Sequence, residues 1–67
     1  MPAKPLRPVE IRILDKMAEG KTNKVIAREL NISPHTVKNH VHDILNKLGA
    51  ERRSAAVAIY LRPEGFK

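Results

Sequence analysis

Ser33-Pro34-His35-Thr36-Val37-Lys38-Asn39-His40-Val41-His42-Asp43-Ile44-Leu45-Asn46-Lys47-Leu48-Gly49 carries both a helix start and a helix stop. Ser33 suits the N-cap because its hydroxyl can accept one of the N–H groups left unpaired at a helix start. Pro34 suits the first helical position, and Gly49 suits the left-handed residue that ends a helix. Between them Val37, Val41, Ile44, Leu45 and Leu48 fall on one side, and His35, Lys38, Asn39, His42 and Asn46 on the other. The only acid in this helix, Asp43, sits on the flank, so the polar stripe is free of negative charge.

Working outward, Asn31 and Ile32 form a short joint to a preceding helix, since Asn tolerates the left-handed backbone of a tight turn and Ile32 supplies an apolar anchor. That helix spans about residues 23–30 behind Thr22 as N-cap, with Val25, Ile26, Ala27 and Leu30 expected inside and Lys24, Arg28 and Glu29 outside. A first helix over about 8–19 starts at Pro8 and stops at Gly20. Its apolar face is Val9, Ile13, Leu14, Met17 and Ala18, and Glu10 lies in the middle of it. A carboxylate aimed at a core is costly without a cation or backbone donors. Glu10 is therefore expected to cap its own helix or to pair with a basic residue of a later one, a structural ion pair rather than a group with chemistry to perform.

A last helix over about 53–61 contains Ala55-Ala56-Val57-Ala58-Ile59-Tyr60-Leu61 and is apolar on every side. A domain this small can cover only one face of it, so the other face, with Val57, Ala58, Ile59 and Leu61, is expected to meet a second copy as a homodimer. The fold class is all-α, a four-helix helix-turn-helix bundle over 8–61, with an extended lead-in or linker remnant over 1–7 and a short tail over 62–67.

Length and charge bound the function. The 67 residues make one domain without cysteine, so helix packing, alone or with a partner subunit, must supply its stability. Thirteen basic residues against seven acidic give a formal charge of +6, which favours a polyanionic partner. No apolar run reaches the roughly 20 residues of a membrane span, and the N-terminus lacks a signal-peptide layout. The basic and apolar residues do not share one strip, which disfavours a membrane surface, and a cytoplasmic, nucleoid-associated protein is expected. His40 and His42 diverge on their helix and no Cys joins them, so no metal site is expected. No phosphate loop, nucleophile with its base, or carboxylate pair appears, so neither catalysis nor a cofactor is expected.

A nucleic-acid reader needs cations facing phosphates and a few side chains long enough to reach base edges. The helix after Ser33 offers both, with His35 and the Thr36 hydroxyl beside its N-terminal N–H groups. Lys38, Asn39 and His42 stand on its exposed stripe, where Lys can donate to guanine and Asn can pair with adenine. Taken alone, the stripe reads equally well as a solvated surface.

The order of elements and the residues at their joints, from Leu6 to Leu61, resemble the DNA-binding domain of LuxR-type bacterial transcription regulators. The resemblance is carried by Leu6-Arg7-Pro8 with Glu10 and Ile13-Leu14, Ala18-Glu19-Gly20, and Thr22-Asn23-Lys24 with Ile26-Ala27. It continues in Ile32-Ser33, Thr36-Val37-Lys38 with His40-Val41, and Ile44 through Lys47-Leu48-Gly49. The resemblance implies that Lys38, Asn39 and His42 meet bases, and that Lys24, Thr36 and the basic residues before the last helix, Arg52 and Arg53, meet the DNA backbone. It also implies double-stranded DNA and RNA polymerase as partners. Arg52 and Arg53 serve equally as plain surface charge; His40, between the two faces, reads as a packed or backbone-contacting residue rather than a base reader, and Lys16 and Lys21 as solvating groups only. The chain departs from the family at Arg7 and Arg52, where capping residues are usual, and at Val25, where Glu is common; such changes weaken a helix end by about 0.5–2 kcal/mol. A protein-interaction adaptor that keeps the same shape is the main rival, and Lys38 on an acid-free stripe counts against it.

Overall fold

The computed structural model describes residues 5–62, so most of the expected lead-in and tail lies outside the described residues. Four helices follow in order: α1 (Pro8–Ala18), α2 (Asn23–Leu30), α3 (Pro34–Leu48) and α4 (Arg53–Leu61). Thr22 Oγ1 accepts the Val25 N–H at 3.2 Å, and Ser33 Oγ accepts the Thr36 N–H at 3.1 Å. Arg7 and Arg52 make no such bond because their side chains carry only donors. At α1 the deficit is half repaired from inside the helix, where Glu10 Oε1 accepts the Arg7 N–H at 2.8 Å.

Three helices end by one device. Gly20 at φ +82°, Asn31 at +60° and Gly49 at +66° turn the chain left-handed. The next N–H then reaches back across the end: Lys21 to the Lys16 carbonyl at 3.1 Å, Ile32 to Ala27 at 2.9 Å, and Ala50 to Leu45 at 2.9 Å. The closure at Gly20 ends α1 at Ala18, one residue before the expected Glu19, which becomes the cap. At Asn31 and Gly49 the following apolar residue, Ile32 or Ala50, packs against the core, so the turns set the angles between helices as well as stopping them.

The core is Ile13, Leu14 and Met17 of α1, Ile26 and Ala27 of α2, Val37, Val41 and Ile44 of α3, and Ala56 of α4. Around it pack Leu6, Val9, Leu30, Ile32, Leu45, Leu48, Ala50, Val57 and Tyr60. α3 touches each of the other helices and α1 also meets α4. The core therefore backs one side of α3 and leaves the other bare. Val25, expected on the buried side of α2, is only half-buried and stands outside the core; in the first turn of α2 it follows the cap rather than the packed face.

Glu10 is fully buried, and both readings of it hold at once. Besides capping α1, its Oε1 accepts from Lys47 Nζ at 2.8 Å, which ties the start of α1 to the last turn of α3. Burial pushes the carboxyl's pKa up, but the Lys47 hydrogen bond, the Arg7 amide and the nearby positive charges outweigh it and hold the group below its ordinary value of 4.5. Oε2 is buried with no hydrogen-bond partner among the described residues.

Candidate nucleic-acid interface

The helix-turn-helix unit is α2 and α3 joined across Asn31-Ile32-Ser33. His35, Lys38, Asn39 and His42 are all exposed along α3. None of their side chains makes a hydrogen bond or ion pair to the described residues. They stand on a rod whose opposite side holds Val37, Val41 and Ile44 in the core, so packing fixes where the rod points while its polar side remains open. Thr36 is half-buried in the first turn, with its Oγ1 2.9 Å from Ser33 Oγ. Lys24, in the first turn of α2, is exposed and unpaired within the described residues. The starts of α2 and α3 each keep N–H groups that their caps do not pair, with the partial positive charge of a helix N-terminus.

Arg52 and Arg53, expected together as backbone contacts, are placed differently. Arg52 is exposed and unpaired among the described residues. Arg53 is half-buried, and its guanidinium turns toward α2: Nη1 donates to Asn23 Oδ1 and Nη2 to the Lys21 carbonyl, each at 2.7 Å. Burial lowers its pKa, but a guanidinium stays charged at neutral pH. Nothing local in the sequence announces this link, because the partners lie 30 and 32 positions away.

Lys16 and Lys21 correct the expectation that they only solvate the surface. Lys16 Nζ bonds Glu29 Oε1 at 2.8 Å, and Lys21 Nζ reaches the same carboxylate at 2.9 and 3.0 Å. Lys21 also stands 3.1 Å from Glu19. The hydrogen bonds donated by the lysines lower the Glu29 pKa, and those that Lys21 donates to Glu29 and Glu19 raise its own. These pairs are partly solvated, so they add little stability, but they occupy two cations at the end of α1, whereas Lys24 of α2 and Lys38 of α3 stay unpaired among the described residues.

α4 turns Ala56 fully inward, with Val57 and Tyr60 against the core and the Tyr60 hydroxyl donating to Asp15 of α1. That hydrogen bond, with burial and the Asp15 charge, raises the tyrosine's pKa. Val57, expected on the free face, thus belongs largely to the inner one. Ala58 and Leu61 are exposed, Leu61 by 62%, and Ile59 is half-exposed. Ala55, Ala58 and Ile59 line a shallow groove with Gly49 and Ala50. Among the described residues no group of three or more His, Cys, Asp or Glu is placed to hold a metal ion, and no helix is long and apolar enough to cross a membrane.

Residues 4–60 match the family model described as bacterial regulatory proteins, luxR family. The chain is 43% identical over 56 residues to the nitrate/nitrite response regulator protein NarP of Escherichia coli, covering 84% of this chain and 26% of NarP. It is 47% identical over 60 residues to the transcriptional regulatory protein LiaR of Bacillus subtilis, covering 90% of this chain and 28% of LiaR. Against the spore germination protein GerE of Bacillus subtilis the identity is 43% over 53 residues, covering 79% of this chain and 72% of GerE. This chain therefore spans between a quarter and a third of the two longer regulators and most of the short one.

Proposed function

The chain belongs to the luxR family of bacterial regulatory proteins, and we propose that it binds specific sites in double-stranded DNA as a transcription regulator, with α3 in the major groove. The observation that carries the reading is the bare polar side of α3. Lys38, Asn39 and His42 have no partner within the described chain, no acid stands among them, and the core braces the helix from behind. Side chains so placed break no contact within the described chain on meeting DNA, and Lys and Asn have the donor geometry to tell guanine and adenine apart. Lys24, His35, Thr36 and Arg52 take the phosphates on either side. Contact with RNA polymerase and action in the bacterial cytoplasm, where the chromosome lies, belong to the same reading.

Titrating a labelled random duplex pool at several salt concentrations tests it. Each phosphate neutralised by a Lys or Arg steepens the fall of log K with log salt by about 0.9, so phosphate contacts at Lys24 and Arg52 predict a slope near −2. Flat or absent binding would return the chain to the adaptor reading.

The outer face of α4 is the second part of the proposal. Leu61, Ile59 and Ala58, next to the groove floored by Gly49 and Ala50, form an apolar surface suited to a second copy. A two-fold pair would set two α3 helices against related half-sites. Ala58→Asp is expected to abolish cooperative filling of a two-site duplex while the urea midpoint stays within about 0.5 kcal/mol of the parent, as for an exposed surface change. Unchanged stoichiometry on the duplex would count against this interface.

A further inference from the structure

Arg53 stands at the first position of α4 and yet spends its guanidinium on the entry to α2. One nitrogen holds the Asn23 side chain, the first helical residue of α2, and the other holds the backbone carbonyl of Lys21, just before the Thr22 cap. Beside it the entry is held by the exposed Thr22 cap bond at 3.2 Å, the Lys21 N–H on the Lys16 carbonyl at 3.1 Å, the solvated Lys21–Glu29 pair and the buried Ile26, none of which holds the Asn23 side chain. A guanidinium is the one side chain that can grip two acceptors at once with a flat, preset fork. Its own base is firm, because Ala56, one turn further along α4, is fully buried. The grip ends one residue short of Lys24, whose exposed ammonium points from the same turn.

We infer that Arg53 is a positioning residue for DNA binding: it does not touch phosphate but fixes the first turn of α2 so that Lys24 meets it. This rests on the DNA reading above. It also gives α4 a second task. The helix with the open apolar face is the one that holds the start of α2, so the seating of a second copy on α4 and the aim of Lys24 are mechanically joined.

The test uses two variants that leave net charge unchanged, Arg53→Lys and Asn23→Ala, with a duplex chosen by selection from a random library. A lysine keeps the charge and loses the fork, and alanine at 23 removes the acceptor. Each is expected to weaken binding about tenfold, the scale of one charge-assisted hydrogen bond. Each is also expected to lower the slope of log K against log salt by about 0.9, because Lys24 leaves its phosphate although no charge has been deleted. The double variant should bind no worse than the weaker single one, since both break the same link. Affinities are compared where urea titration shows every variant folded. Should Arg53→Lys fold poorly, Asn23→Ala probes the link from the other side.

A merely structural arginine would shift the urea midpoint and leave affinity and salt slope alone, which overturns the inference. So does parent-like binding by Arg53→Lys together with no effect of Asn23→Ala, the pattern of a direct phosphate contact. Absence of duplex binding by the unaltered chain would sink the DNA reading itself, and this inference with it.

Discussion

Glu10→Gln is expected to remove about 3 kcal/mol of folding stability, near the low end for deleting one partner of a buried ion pair. The loss is large for this chain, since a domain of 67 residues has roughly 3–10 kcal/mol in total. Glutamine fills the same space and can still accept the Arg7 N–H, but it leaves the Lys47 ammonium facing a neutral amide in a site where the lysine side chain is only 16% exposed. That residual exposure lets the lysine swing partly into water, which is why the lower figure applies. Urea unfolding at neutral pH measures the effect.

The pH dependence separates charge from shape. Because the folded Glu10 carboxyl sits below its unfolded value of 4.5, its contribution is fully present above that value and is lost as pH falls through the lower folded one. The parent should therefore weaken in acid, and Glu10→Gln should lack much of that slope. Replacing both partners, Glu10→Met with Lys47→Met, should recover most of the stability, since an apolar pair leaves no charge unmatched. A Glu10→Gln variant as stable as the parent at neutral pH would show that the pair contributes nothing.

Lys38→Ala is expected to change which sequences are bound, at a cost of about 1–3 kcal/mol, or roughly fivefold to 150-fold, for the preferred site. The lysine is exposed, unpaired within the described chain and held on a braced helix, so its removal should take away the proposed base contacts without disturbing the core. Thr36→Ala is the contrast. Its hydroxyl lies in the first turn of α3 beside Ser33 Oγ, the place proposed for a backbone contact, so its loss should weaken all sequences alike. Selection from a random duplex library with each variant reads the difference. A profile for Lys38→Ala that matches the parent would remove Lys38 from the base-reading set.

Most of the fold was legible along the chain because its cues are local. Ser33, Pro34 and Gly49 bracket α3 within the reach of one or two turns, and the division of Val37, Val41 and Ile44 from Lys38, Asn39 and His42 follows from helical period alone. Asn31 announced its own left-handed turn. Glu10 was legible in kind, as a carboxylate on an apolar face, but its partner was not. Lys47 lies 37 positions away and nothing in its neighbourhood distinguishes it from other lysines of the chain.

What the amino-acid order determined by itself is therefore the set of rods, their ends, and the side of α3 that stays polar, since each depends on contacts within a few residues. Tertiary structure decided the rest: that Lys47 and not another cation meets Glu10, that Lys16 and Lys21 share Glu29, that Val57 turns inward, and that Arg53 grips the start of α2. The reason is geometric. A long charged side chain pairs with whatever the packing of buried residues brings within about 3 Å, and that proximity exists only after Ile13, Ile26, Val37, Ile44 and Ala56 have closed on one another.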